Sequence, residues 1–113
     1  MAYFTEKELA CKCCGVDGTT IEFKTALDKL RGMFGKPMIV NCAYRCSKHN
    51  AEVAGSKGSY HVKGEAIDIK IPNGAYRTDL VKLALSLGWS VGIYKNFIHL
   101  DIRPEQMIFW GSY

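Results

Sequence analysis

The chain predicts an α+β fold, a small antiparallel sheet of four to five strands with two main helices packed on one face. Three observations carry that expectation. Two segments, starting near Thr20 and Tyr76, repeat apolar residues at steps of four, three and four, which is the period of one helix face. Two others, 65–71 and 97–102, alternate apolar and polar side chains, as half-buried strands do. The 113 residues, 48% hydrophobic and 23% charged, suit a single domain spanning 1–113 whose core needs no disulfide staples.

In chain order, residues 4–18 run from a short acidic and apolar stretch into Cys-Lys-Cys-Cys-Gly and a Val-Asp-Gly-Thr-Thr turn, predicting one helical turn and then a loop. From Thr20, the residues Phe23, Leu27, Leu30 and Phe34 mark a helix that Gly35-Lys36-Pro37 stops. Met38–Val40 predicts a short buried strand, and Ser47 is placed to cap a brief helix running through Val53 and ending at Gly55. The glycine-rich stretch 55–64 reads as a loop. Residues 65–71 form a strand with Ile67, Ile69 and Ile71 on one face and Ala66, Asp68 and Lys70 on the other. After the Pro72-Asn73-Gly74 turn, Tyr76, Leu80, Leu83 and Leu87 line a second helix, which Gly88 ends. Residues 90–94 and 97–102 then make two strands joined by Lys95-Asn96, a hairpin connection, and 107–110 add an edge strand.

Lysine and arginine number 15 against 11 acids, a net charge of +4, but the basic residues form no run of five, so no nucleic-acid partner is expected. The longest apolar runs, such as Met38-Ile39-Val40, fall far short of the ~20 residues of a membrane span, and no stable membrane insertion is expected. The opening Met-Ala-Tyr-Phe-Thr-Glu lacks a basic stretch followed by an apolar one, which predicts a chain that is cytoplasmic as synthesised. Five cysteines, Cys11, Cys13, Cys14, Cys42 and Cys46, are an odd number. The Cys11–Cys14 loop meets Cys42 and Cys46 if it packs on the segment after the first strand. The spacing lacks the paired CxxC of a zinc ribbon, and the reading adopted is reduced, partly buried thiols, with a disulfide or a second metal site as the alternatives.

The strand pattern sets ionisable side chains opposite the isoleucines, with Asp68 on one strand and His99 and Asp101 on another. His61 lies seven residues before Asp68, and Gly64 between them lets the chain fold back. A His-Asp-His set follows, and neutral imidazole with carboxylate suits zinc, leaving one tetrahedral position for a water whose pKa the metal lowers to roughly 7. A lone histidine is more often a surface or hydrogen-bonded residue, and His49, on an exposed helix face, is taken as a non-ligand.

Ser59–Asp68 reads SxHxxGxAxD and resembles the zinc D-Ala-D-Ala peptidases, the M15 group, whose fold the hedgehog signalling domain shares. Val40-Asn41-Cys42-Ala43-Tyr44-Arg45-Cys46 with Asn50 resembles that family's arginine segment, Gly92-Ile93-Tyr94 its penultimate strand, and Phe97-Ile98-His99-Leu100-Asp101 its second metal motif. The four segments occur in the family's order between about Gly35 and Trp110. The resemblance implies one catalytic Zn2+ held by His61, Asp68 and His99. It makes Arg45 the group that stabilises the oxyanion, and Ser59 and Tyr94 substrate-binding residues.

The general base is where this chain departs from the pattern. Some branches carry a glutamate three residues before the last histidine and another a histidine two before it; here those positions are Asn96 and Phe97. The His99-Leu100-Asp101 pattern is similar to the HxD branch of small murein endopeptidases and phage-type M15 proteins. Asp101 then either carries the proton or orients a ligand imidazole, and Glu65 is a third choice. The implied activity is hydrolysis of peptide bonds in bacterial peptidoglycan, as a D-Ala carboxypeptidase or a murein endopeptidase of endolysin type, with the stem peptide as partner and a monomer expected. Without a signal of its own, such an enzyme is expected to reach the cell wall by phage-assisted release. The alternative is a non-catalytic, hedgehog-like zinc-binding module.

Overall fold

The computed structural model describes residues 3–52 and 59–111, without the side chains of His49 and Glu52. Thr5 opens α1 (Glu6–Leu9) with a capping box in which its hydroxyl accepts from the Glu8 N–H at 3.1 Å and the Glu8 carboxylate accepts from the Thr5 N–H at 3.0 Å. Thr20 caps α2 (Ile21–Phe34) by accepting from the Phe23 N–H, and Gly35, at φ +71°, closes it. Then come β1 (Val40–Cys42), α3 (Ser47–Glu52), β2 (Ala66–Lys70), α4 (Gly74–Ser86), β3 (Ser90–Ile93), β4 (Phe97–Asp101) and β5 (Ile108–Trp110). Asn73 caps α4 through the Tyr76 N–H at 2.8 Å, and Gly88 follows its end at φ +89°. Among the described residues no helix is long and apolar enough to cross a membrane.

The sheet order is β1-β2-β4-β3-β5. Its first three pairings are antiparallel, whereas β5 runs parallel to β3, because residues 102–107 carry the chain back across the sheet before it pairs. Alternation does its expected work: Ile67, Ile69, Val91, Ile93, Ile98 and Leu100 point into one core with Phe23, Leu27 and Leu30 of α2 and Leu80 and Ala84 of α4. On α4 the buried stripe is Tyr76, Leu80 and Ala84, while Leu83 and Leu87 are only partly covered. The first strand sits two residues later than expected, since Met38 is buried but the ladder begins at Val40. Ser47 lies inside α3 rather than at its cap, with the Cys46 carbonyl accepting from Asn50, and the expected end at Gly55 falls outside the described residues.

Candidate active site

The β2–β4 register sets Asp68 directly opposite His99 and Ala66 opposite Asp101, and β3 sets Gly92 opposite His99 on its other side. These residues occupy the sheet face away from α2 and α4. His61 arrives from the turn before β2. Gly64 makes that turn possible: it has φ +73°, its carbonyl accepts from the Thr20 N–H at 3.0 Å, and a Cβ there would lie 2.0 Å from the Gly18 carbonyl oxygen.

His61 Nε2 is 3.1 Å from Asp68 Oδ1, His99 Nδ1 is 3.1 Å from the same oxygen, and the two nitrogens are 3.2 Å apart. The proton positions follow from the partners behind the rings. His61 Nδ1 lies 2.6 Å from the Ala43 carbonyl and His99 Nε2 lies 2.7 Å from Asp101 Oδ2, acceptors that require a proton on each of those nitrogens. In the neutral imidazoles the inward nitrogens are therefore bare lone pairs. Three acceptors face one point with no donor among them, a donor set that fits a cation. Zinc bonds of about 2.0–2.1 Å in tetrahedral geometry set donor atoms about 3.3 Å apart, close to this triangle.

The electrostatics agree. Burial opposes charge on His61, but hydrogen bonds to Asp68 and Cys42 and the Asp68 charge outweigh it and lift its pKa to about 9. Burial likewise works against the Asp68 carboxylate, yet the two histidines bring its pKa down to about 2. The carboxylate thus draws positive charge into the triangle, which a metal ion supplies in exchange for a proton.

Asp101 sits behind His99, fully buried. Its Oδ1 accepts from the Arg103 N–H at 3.1 Å and Nε at 2.8 Å, and its Oδ2 accepts from Arg103 Nη2 and His99 Nε2. Burial opposes its charge, but these bonds hold the carboxyl well below the ordinary aspartate range. Asp101 therefore contacts the nitrogen of His99 that faces away from Asp68, and it is not among the described residues lining the cleft.

A cleft of about 380 Å³ lies over the triangle, and Arg45, Ser59 and Tyr94 line it. Arg45 Nη2 donates to Ser59 Oγ at 3.1 Å, the same oxygen accepts from the His61 N–H at 3.2 Å, and the buried Arg45 Nε has no acceptor among the described residues. Burial, then the Asp68 charge, raise the Tyr94 pKa against the pull of Arg45, so the phenol stays protonated. Its ring stacks on Phe97 at 4.4 Å. Asp68 is the one carboxylate among the described lining residues, and Glu65 is not among them.

A sequence profile of the Peptidase M15 family matches residues 2–101. The chain belongs to the M15 peptidase family. Peptidoglycan L,D-endopeptidase MepK of Escherichia coli strain K12 is 39% identical over 90 residues, covering 71% of this chain and 49% of that protein. The proteins of the same name from Escherichia coli O157:H7 and Shigella flexneri match to the same extent. This M15 chain spans about half the length of the curated relatives it matches.

The M15 match ends with Asp101, and the cleft continues past it. Arg103 and Phe109, which sequence reasoning passed over, complete the wall: the Arg103 guanidinium lies 4.7 Å from the Tyr60 ring centroid and 5.3 Å from that of Phe109. Phe109 reaches to 5.5 Å from His99 because Gly92 has no Cβ, which would stand 2.3 Å from that ring. An arginine two residues after a buried aspartate was the available signal for Arg103. Cys42 is the other omission. The β1–β2 register pairs it with Asp68, and its Sγ lies 3.9 Å from His61 Nδ1, so it joins this site rather than the other cysteines.

Proposed function

We propose that this M15 chain is a zinc-dependent hydrolase of peptide bonds in bacterial peptidoglycan. The observation that carries the reading is the triangle of inward-facing atoms, His61 Nε2, Asp68 Oδ1 and His99 Nδ1, within 3.2 Å of one another. Zinc held by these residues would polarise a peptide carbonyl and lower the pKa of a water to about 7. Arg45 offers its guanidinium to the oxygen of the scissile carbonyl, where negative charge develops. Ser59 holds that guanidinium in place, and Tyr94 offers a phenol donor on the other wall. Asp101 keeps the proton on His99 Nε2, so that Nδ1 presents its lone pair to the metal, and it has no free lone pair for carrying a proton.

The relatives named L,D-endopeptidase support a cut inside the stem peptide or crosslink over removal of a terminal D-alanine. The test is incubation of zinc-loaded protein with purified murein sacculi and mass analysis of what is released. Chelator-sensitive release of muropeptides is expected. The spent hydrogen bonds of Asp101 and the residues Asn96 and Phe97 at the alternative base positions favour one rival, a zinc-binding module that does not hydrolyse. Histidine-dependent zinc with no released peptide would establish that rival.

A further inference from the structure

We propose that Cys11, Cys13, Cys14 and Cys46 form a second metal site, a structural zinc thiolate centre that ties the N-terminal loop to the segment carrying Arg45. No residue of this site belongs to the histidine triangle, so the inference stands apart from the peptidase reading.

The geometry is that of a tetrahedron edge rather than a bond. Cys46 Sγ lies 3.7 Å from Cys11 Sγ and 3.7 Å from Cys13 Sγ, and the thiols of Cys11, Cys14 and Cys46 all fall within 4.8 Å of one another. A disulfide needs about 2.05 Å, and none joins any of the five cysteines. Four thiolates at a Zn–S distance of about 2.3 Å stand about 3.8 Å apart, which two of these separations already match. Cys11 and Cys14 also hold the Cys-x-x-Cys spacing of a zinc knuckle, and the second such pair of a ribbon is replaced here by Cys13 and by Cys46 from a distant segment.

The loop is built around the sulfur of Cys11. Gly15 donates to the Cys11 carbonyl and Cys11 to the Val16 carbonyl, both at 2.8 Å, with Gly15 at φ +73° closing the turn. The Cys46 N–H points at Cys11 Sγ at 3.4 Å. On binding a dication, each thiol would release its proton to solvent.

The consequence falls on the active site. Arg45 is the residue before Cys46, its N–H donates to the His61 carbonyl at 3.1 Å, and the Tyr44 N–H donates to the Leu9 carbonyl at 3.1 Å. A metal at Cys46 would anchor this segment from its other end and hold the guanidinium over the cleft.

Cobalt(II) reports thiolate ligation directly by an intense near-ultraviolet charge-transfer band. The full chain carrying Cys42→Ser, purified under reducing conditions, is expected to show this band, and the band should persist when His61→Ala and His99→Ala are added. Adding Cys46→Ser should abolish it. A second measurement needs no further variant: in the zinc-loaded Cys42→Ser protein the remaining thiols should react slowly with a thiol reagent and quickly once a strong chelator is added. The proposal is overturned if cobalt binds without the band, if thiol reactivity is the same with and without chelator, or if mass analysis of the reduced preparation finds a Cys11–Cys46 disulfide. If the Cys42→Ser protein shows the band while the unsubstituted, zinc-loaded chain releases no muropeptides, this site stands and the peptidase reading falls.

Discussion

His99 is hydrogen-bonded to Asp101 behind it and faces Asp68 in front, and that arrangement makes separable predictions for its neighbours. Asp68→Asn removes the negative charge from the triangle, and both the histidine-dependent zinc and peptide release should be lost, as read by metal analysis and the sacculus assay. Asp101→Asn keeps an acceptor for His99 but leaves Arg103 without its anion. The expected result is a 10–100-fold loss in zinc affinity or activity, the usual size of effects behind a ligand histidine. Arg45→Ala should leave histidine-dependent zinc unchanged while lowering kcat by about 10²–10³, the range for removing one oxyanion donor. A fall in zinc content equal to that of Asp68→Asn would refute the role given to Arg45.

At the level of elements, the two glycines that shape the cleft are expected to fail differently. A Cβ on Gly64 meets the backbone of Gly18 and must adopt φ +73°, so Gly64→Ala should destabilise the fold by at least the ~1–3 kcal/mol of a strained backbone, visible as a lowered Tm. The three atoms nearest a Cβ on Gly92 all belong to the ring of Phe109 on the edge strand β5, a side chain that can swing away. Gly92→Ala should therefore move Tm little and alter substrate affinity, because the wall beside His99 is displaced; equal melting penalties for the two variants would contradict this division.

Across the whole molecule, the helix pair and the sheet share one apolar core, and its central side chains have no exposure. Leu30→Ala is expected to cost about 2–5 kcal/mol by chemical denaturation. Away from the cleft, Asp17 ties the N-terminal loop to α2. Burial opposes its charge, but hydrogen bonds from Thr19 and the Lys24 ammonium at 3.0 Å outweigh this and depress its pKa. A depressed folded-state pKa adds stability that is full above the ordinary aspartate value of about 3.9 and fades as pH falls through the lower folded value. Asp17→Asn should thus melt below the parent at neutral pH, with the gap closing under acid; a gap that widens on acidification would refute it.

Much of this was legible in the residues because its cause is local. The steps of four, three and four placed α2 and α4, the alternation at Ile67, Ile69, Ile98 and Leu100 placed the core face, and the same alternation set Asp68 and His99 opposite it. Their facing each other follows from strand register, which period two constrains but does not choose. Tertiary structure decided what depends on parts distant in the chain. The bulged pairing of β1 sent Cys42 to His61, the parallel return of β5 brought Phe109 over Gly92, and Arg103 took up the lone pairs of Asp101. The meeting of Cys11, Cys13 and Cys14 with Cys46 likewise depends on where two remote backbones pack, which no spacing within either segment encodes.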